Sequence, residues 1–218
     1  MLVDQTVREL LDAFSSASPT PGGGSAAALA GAVAASLLAM VAGMPKTKSG
    51  APEERQALDA LLPELLALRE RLTGLVDRDA ASYDAVVAAY RLPKASDDDK
   101  SARKAAIAAA MRGATEVPLE TARAIAAVLG HGRAVATAGN AHAASDAGVA
   151  LSLAMSAYSG AWMNVETNLA SIADPSYVAA VREEFARLNQ QCALAIAPAF
   201  EALGWKGHTP PAAPTAPD

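Results

Sequence analysis

From Pro21 to Met44 the chain carries no charged residue, and the run Pro19-Thr20-Pro21-Gly22-Gly23-Gly24-Ser25 leads into it. An uncharged stretch of this length has two homes, the middle of a helical bundle or a membrane. Ala and Gly dominate it, no aromatic belt flanks it and no basic segment precedes it. It is therefore read as a buried central helix rather than a span or a signal peptide. The prolines and glycines make a tight turn, after which Ser25 or a preceding glycine can cap the helix. Glycines at a helix entrance also leave the first unpaired N–H groups open to a ligand or to another backbone. No Gly-Lys-Ser/Thr follows and no strand precedes, so this is neither a phosphate-binding loop nor a dinucleotide fingerprint.

At 218 residues the chain suits one domain. Hydrophobic residues make up 52% of it but aromatics only 4%, so the core must be built from Ala, Leu, Val and Met. Small side chains let helices approach closely but bury little area each, which predicts a homodimer or a multiple of one. A net charge of -5 without a basic stripe argues against nucleic acid as a partner. A single cysteine, Cys192, excludes an intrachain disulfide and fits a reduced, cytoplasmic setting.

The remaining pattern is helical throughout. Val7, Leu10, Leu11 and Phe14 mark one helix. Pro52 opens a longer one, running through the leucines from Leu58 to Leu72 and on to Tyr90, with Pro63 as a kink or break. Ser96 and Asp99 form a capping box for a helix that Pro118 should bend. Gly130, Gly132 and Gly139 read as a loop, Ser145 reopens a helix to about Ile172, and Asp174-Pro175 starts a last one ending at Gly204. The expected fold is an all-α compact bundle of long, partly kinked helices over residues 1–206. A Pro/Ala-rich tail, 207–218, has little to bury and should be mobile.

Asp79 shares a helix face with Ser82, Tyr83, Val86 and Tyr90. Burial of that carboxylate would raise its pKa and make it a usable proton shuttle, although periodicity alone favours a solvated edge. Asp77 and Asp84 read as ordinary solvated charges. Arg91 and Lys94 can offset a helix dipole or meet substrate carboxylates. Lys46 and Lys48 read as loop lysines that could also serve an anionic tail. Asn140, Ser145 and Asp146 cluster where a loop enters a helix, with Asp146 a cap or a functional acceptor. Asn164 and Asn168 are one turn apart, roughly 27 Å beyond Asp146 at about 1.5 Å per residue. They read as partners for buried polar groups or for the far end of a ligand. His131 and His142 fall in the glycine loop and His208 in the tail, without metal-ligand spacing.

The segment from Pro19 to Ala32 resembles the signature of the cyclodeaminase/cyclohydrolase family, folate-handling helical domains found fused to formiminotransferases or free-standing. The likeness continues in order through Asp79-Ala80-Ala81-Ser82-Tyr83, Ala89 to Lys94, Glu116 to Leu119, Gly139-Asn140, Ser145 to Ala150 and Asn164 to Leu169. It implies that Asp79 is the acid/base and Asp146 a second catalytic carboxylate. Gly22, Gly23, Gly24, Ser25, Tyr83, Tyr90, Arg91, Lys94, Asn140 and Ser145 would then bind substrate. It further implies a tetrahydrofolate derivative as substrate, no cofactor, no metal, and chemistry at the carbon between N5 and N10. Either water opens the methenyl bridge (cyclohydrolase, favoured because no formiminotransferase accompanies the domain) or ammonia is expelled as the bridge closes (cyclodeaminase). A non-catalytic helical folate-binding or assembly protein is the alternative from another class.

Overall fold

A computed structural model describes residues 1–205; the segment read as a tail, with His208, lies outside them. Within that range the chain is helical and has no strand. The helices are α1 (Val7–Ser15), α2 (Gly23–Gly43), α3 (Pro52–Tyr90), α4 (Asp97–Ala138), α5 (Ala144–Leu169) and α6 (Pro175–Ala202). Short 3-10 turns occupy Leu2–Asp4 and Ala141–Ala143.

Local chemistry sets most of the boundaries. Thr6 and Glu9 form a capping box on α1, and Ser96 with Asp99 forms the same device on α4. Pro52 and Pro175 each occupy the first helical turn, where their missing N–H costs nothing. Asp174 caps α6 by accepting from the N–H groups of Ser176 and Tyr177. After the last turn of α6, Gly204 takes a φ of +86°, the left-handed conformation that ends a helix.

Two expectations change. Gly130 and Gly132 lie inside α4 rather than in a loop, and only Gly139 ends that helix. A Cβ on Gly132 would come within 2.5 Å of Leu151 Cδ2, so this glycine lets α4 and α5 press together. His131 is accordingly on α4, 3.3 Å from Glu64 on α3. Of the two readings of Pro63, a kink or a break, the break does not occur: α3 runs on through it, as α4 does through Pro118. Asp77 is half-buried rather than solvated, and its Oδ1 accepts a hydrogen bond from the Leu2 N–H at 2.5 Å, tying the N-terminus to α3.

Packing follows from side-chain size. α2 is flanked by α3 and α5 and backed by α4, which also carries α6. Its Ala27, Ala28, Gly31, Ala34 and Ala35 are buried, so its neighbours reach almost to its backbone. Leu58, Leu65, Leu72 and Leu75 of α3 fill the space with Ile125 and Leu129 of α4 and Leu151 of α5. α2 and α5 run antiparallel: Ala27 near the start of α2 touches Gly160 late in α5, while Val41 at the other end meets Gly139. Ion pairs lace the outer helices, Glu120 of α4 taking Arg71 and Arg78 of α3 and Arg123 of α4 taking Glu184 of α6.

α2 is long and apolar enough to cross a membrane by length and composition, yet more than half of it is buried among the other helices. Its outward stripe remains open, with Val33 43% and Met40 42% exposed. α1 buries none of its residues, and Val7 and Leu11 of its apolar side face out.

A Cβ at Gly31 would lie 3.0 Å from Ile125 Cγ1 and 3.2 Å from Leu72 Cδ2. Gly31→Val should therefore force α2 away from α3 and α4 and cost about 1–3 kcal/mol, read from urea denaturation midpoints.

Candidate active site

The Gly22–Gly24 turn and Asp79, far apart in sequence, meet where α2 begins. Gly22 is the N-cap, and Gly23, Gly24 and Ser25 form the first turn, so Ser25 is inside the helix rather than capping it. Ser25 is fully buried. Its Oγ lies 2.9 Å from Asp79 Oδ2 and 3.0 Å from the Val76 carbonyl oxygen, one turn earlier on α3. Asp79 thus docks a carboxyl onto the N-terminal turn of a neighbouring helix, where unpaired N–H groups and the helix dipole favour negative charge.

Gly24 is what makes the docking possible. A Cβ there would stand 2.1 Å from Asp79 Oδ1 and 2.6 Å from its Cγ, closer than any real contact allows. The other glycines of the turn are less constrained: a Cβ on Gly23 would meet Asn164 Nδ2 at 3.4 Å, and one on Gly22 the Pro19 carbonyl at 3.5 Å. The sequence suggested glycines that open helix N–H groups to a ligand; at Gly24 the group admitted is the protein's own carboxyl.

Asp79 forms part of the wall of a cleft of ≈ 340 Å³. The Pro19–Gly24 segment forms one side, Ser82, Tyr83 and Val86 of α3 another, Met111 and Ala114 of α4 the floor, and Asn164, Thr167 and Asn168 of α5 the far wall. Burial pushes the Asp79 carboxyl above the usual carboxylate range, and the hydrogen bonds from Ser25 oppose that rise without cancelling it.

Asn164 and Asn168 stand nearer to the reacting region than the sequence reading allowed. Asn164 Nδ2 donates to the Gly160 carbonyl at 2.9 Å and Asn168 Nδ2 to the Ala114 carbonyl at 2.8 Å. Each amide is thereby oriented, and its Oδ1, without a hydrogen-bond partner among the described residues, remains as an acceptor in the cleft wall. The signal was their spacing of four on a helix, which puts two amides on one face. What sequence could not supply was the antiparallel α2–α5 pairing that carries this face to Gly23.

Other candidates lie elsewhere. Tyr83 is on the cleft wall, but Tyr90 is not among its lining residues; the Arg103 guanidinium lies over the Tyr90 ring at 5.5 Å and bonds its carbonyl. Arg91 ends α3 and is exposed, and Lys94 faces a separate basic hollow with Lys100, Arg103 and Lys104. Asn140, Ser145 and Asp146 sit at the start of α5, at the opposite end of the helix from Asn164. Within one protomer they do not line the cleft that holds Asp79. Asn140 Oδ1 accepts from the His142 N–H at 2.9 Å, Ser145 lies on an outer groove beside Gly148 and Trp205, and Asp146 is in the first turn of α5 without being its cap. Lys48 donates to the Ala202 carbonyl at the end of α6. Among the described residues no group of three or more His, Cys, Asp or Glu is placed to hold a metal ion. Cys192 is buried and its thiol is pushed up to about 12, which leaves it inert.

Residues 6–187 match the family model described as formiminotransferase-cyclodeaminase. The methenyltetrahydrofolate cyclohydrolase of Methylorubrum extorquens is 39% identical over 180 residues, 81% of this chain and 85% of that one. The formimidoyltransferase-cyclodeaminase of Sus scrofa is 33% identical over 190 residues, which span 87% of this chain but only 35% of that longer protein. A crystal structure of formiminotetrahydrofolate cyclodeaminase from Thermotoga maritima superposes with a TM-score of 0.83 over 94% of this chain and 98% of that one, at 24% identity, a likeness of fold. The chain belongs to the formiminotransferase-cyclodeaminase family.

Because its folded pKa is raised, Asp79 favours the fold at pH below its unfolded value, and that advantage is lost as pH rises through the folded value. Asp79→Asn should therefore melt above the parent at neutral pH, with the gap closing as pH falls through the carboxylate range. Gly24→Ala should displace the carboxyl from Ser25, seen in a crystal structure of the variant, whereas Gly23→Ala should leave it in place.

Proposed function

We propose that this chain hydrolyses 5,10-methenyltetrahydrofolate to 10-formyltetrahydrofolate, with Asp79 moving the proton. The observation that carries the reading is a half-buried carboxyl with a raised pKa, held at a glycine-lined helix N-terminus in a cleft. Similarity along most of the chain to a named methenyltetrahydrofolate cyclohydrolase supports it.

The bridging methenyl carbon is already cationic, so water can add without a metal or organic cofactor. Asp79 accepts a proton from that water as the C–O bond forms. The tetrahedral carbon then collapses: its hydroxyl proton passes to solvent, the bond to N5 breaks, and Asp79 returns its proton to N5. A carboxyl raised towards neutrality serves both steps better than one that is always ionised. Oδ1 of Asn164 and of Asn168 supplies acceptors for the N–H and amino groups of a pterin edge. Arg91 and Lys94 lie beyond Tyr90, about 16 Å or more along α3 from Asp79 at ~1.5 Å per residue, suited to the carboxylates of the glutamyl end. The runner-up is the cyclodeaminase reaction, in which N10 attacks a formimino carbon and Asp79 transfers the N10 proton to the departing ammonia.

The same reading takes the protein as a cytoplasmic homodimer without nucleic-acid or membrane partners. From Gly23 to Gly43 and from Ala147 to Val165 neither α2 nor α5 carries a charge, the two helices pack side by side, and Val33 and Met40 of α2 and Val149 and Met163 of α5 are 42–54% exposed. Two helices side by side, roughly 31 Å by 20 Å, would bury about 600 Å² on each partner, near the lower end for a stable dimer. A second copy would cover it. The parent should sediment as a dimer and a Val33→Glu/Met163→Glu variant as a monomer; a monomeric parent at micromolar concentration removes this part of the proposal.

Loss of methenyltetrahydrofolate absorbance on adding the protein tests the hydrolysis directly, and ammonia release from 5-formiminotetrahydrofolate tests the runner-up. Asp79→Asn should slow the reaction roughly 10²–10⁴-fold with the fold retained.

A further inference from the structure

We propose that Ser25 is a positioning residue for Asp79 whose single hydroxyl hydrogen follows the charge on that carboxyl, turning to Oδ2 when Asp79 is ionised and to the Val76 carbonyl when it is protonated. This rests on reading Asp79 as the acid–base group.

Three observations carry it. Ser25 is fully buried, so bulk water does not compete for its hydroxyl. That hydroxyl has two acceptors in reach, Asp79 Oδ2 at 2.9 Å and the Val76 carbonyl at 3.0 Å, but only one hydrogen to give. Both acceptors belong to α3, one turn apart, so the choice between them requires no backbone movement. Gly24 completes the arrangement, because a Cβ there would stand 2.1 Å from Asp79 Oδ1 and expel the carboxyl.

The competition is decided by charge. A bond to an ionised carboxylate is roughly twice as strong as one between neutral groups, so the hydrogen turns to Oδ2 while Asp79 is a base. Once Asp79 has taken a proton, that advantage disappears and the backbone carbonyl becomes the equal or better acceptor. The serine oxygen keeps a lone pair towards the carboxyl in either state, and Asp79 stays in one place as base and as acid.

The surroundings isolate this pair. Tyr83 is the other titratable group on the cleft wall; α2, α4 and α5 contribute glycines, Met111, Ala114, Asn164, Thr167 and Asn168, none of them charged. The charged neighbours along those elements are engaged elsewhere: Asp77 with the Leu2 N–H, Arg78 with Glu120, Arg112 with Asp174, and Glu166 with Arg182.

The test is the pH behaviour of Ser25→Ala. Removing the hydroxyl withdraws more support from the ionised than from the protonated carboxyl. The Asp79 signal in a carbon-13 carboxyl titration should therefore move to higher pH, and so should the acid limb of kcat. Below the displaced limb kcat should fall about tenfold or more, the size expected for one charge-assisted hydrogen bond, with KM within about threefold. Should Ser25→Ala not fold, Ser25→Cys keeps a weak donor of similar size and should give an intermediate displacement. A carboxyl titration that superimposes on the parent's overturns the proposal, as does a raised KM with kcat and its acid limb unchanged. The titration needs no turnover. If Asp79→Asn proves fully active, the acid–base reading of Asp79 falls by itself, while the titration still decides whether Ser25 governs that carboxyl.

Discussion

The Asp79 carboxyl, lodged on the first turn of α2, is the interaction on which the site depends. Two opposing terms meet there. Burial disfavours the charge, while the Ser25 hydroxyl and the unpaired N–H groups of a helix N-terminus favour it. The outcome is a carboxyl with a raised pKa that is still held by hydrogen bonds. A group in that state can give or take a proton without moving, which is what addition to, and departure from, one carbon requires.

Holding a carboxyl at that point constrains the rest of the bundle. α2 must start with glycine, because a methyl group at Gly24 would occupy the carboxyl's own space. α3 must remain helical from Pro52 through Asp79, so Pro63 is accommodated rather than used as a break. α5 must run antiparallel to α2, so that its late turns, with Asn164 and Asn168, stand beside the glycines. The alanines and glycines of α2 let α3, α4 and α5 close around it, and the small core this leaves is filled by leucines.

The same economy of side-chain size leaves apolar surface uncovered. α1 contributes nothing to the core although it has the pattern of a packing helix, and α2 and α5 each keep exposed apolar residues, Val33 and Met40 on one and Val149 and Met163 on the other. The polar cluster at Asn140, Ser145 and Asp146 lies at the end of α5 farthest from Asn164. In one protomer it has no connection to the cleft.

Much of the fold was legible in the sequence because it is written in local chemistry. The capping box at Ser96, the Asp174-Pro175 start, the glycine stop at Gly204 and the uncharged run into α2 act within a few residues of themselves. Asp79 could be singled out by its helix face and by resemblance, but not its burial, which requires α2 to be set against α3. Gly130 and Gly132 misled as loop markers because their purpose, the close approach of Leu151, belongs to a helix pairing that local sequence does not encode. Asp146 was assigned a role by resemblance, and the length of α5 sets it at the other end of that helix from the cleft-lining Asn164 and Asn168. Local sequence determines most helix starts and stops and which groups can do chemistry. Only the packing of one helix end onto another decides which of those groups share a cleft, because contact across tens of residues depends on the direction in which each helix runs.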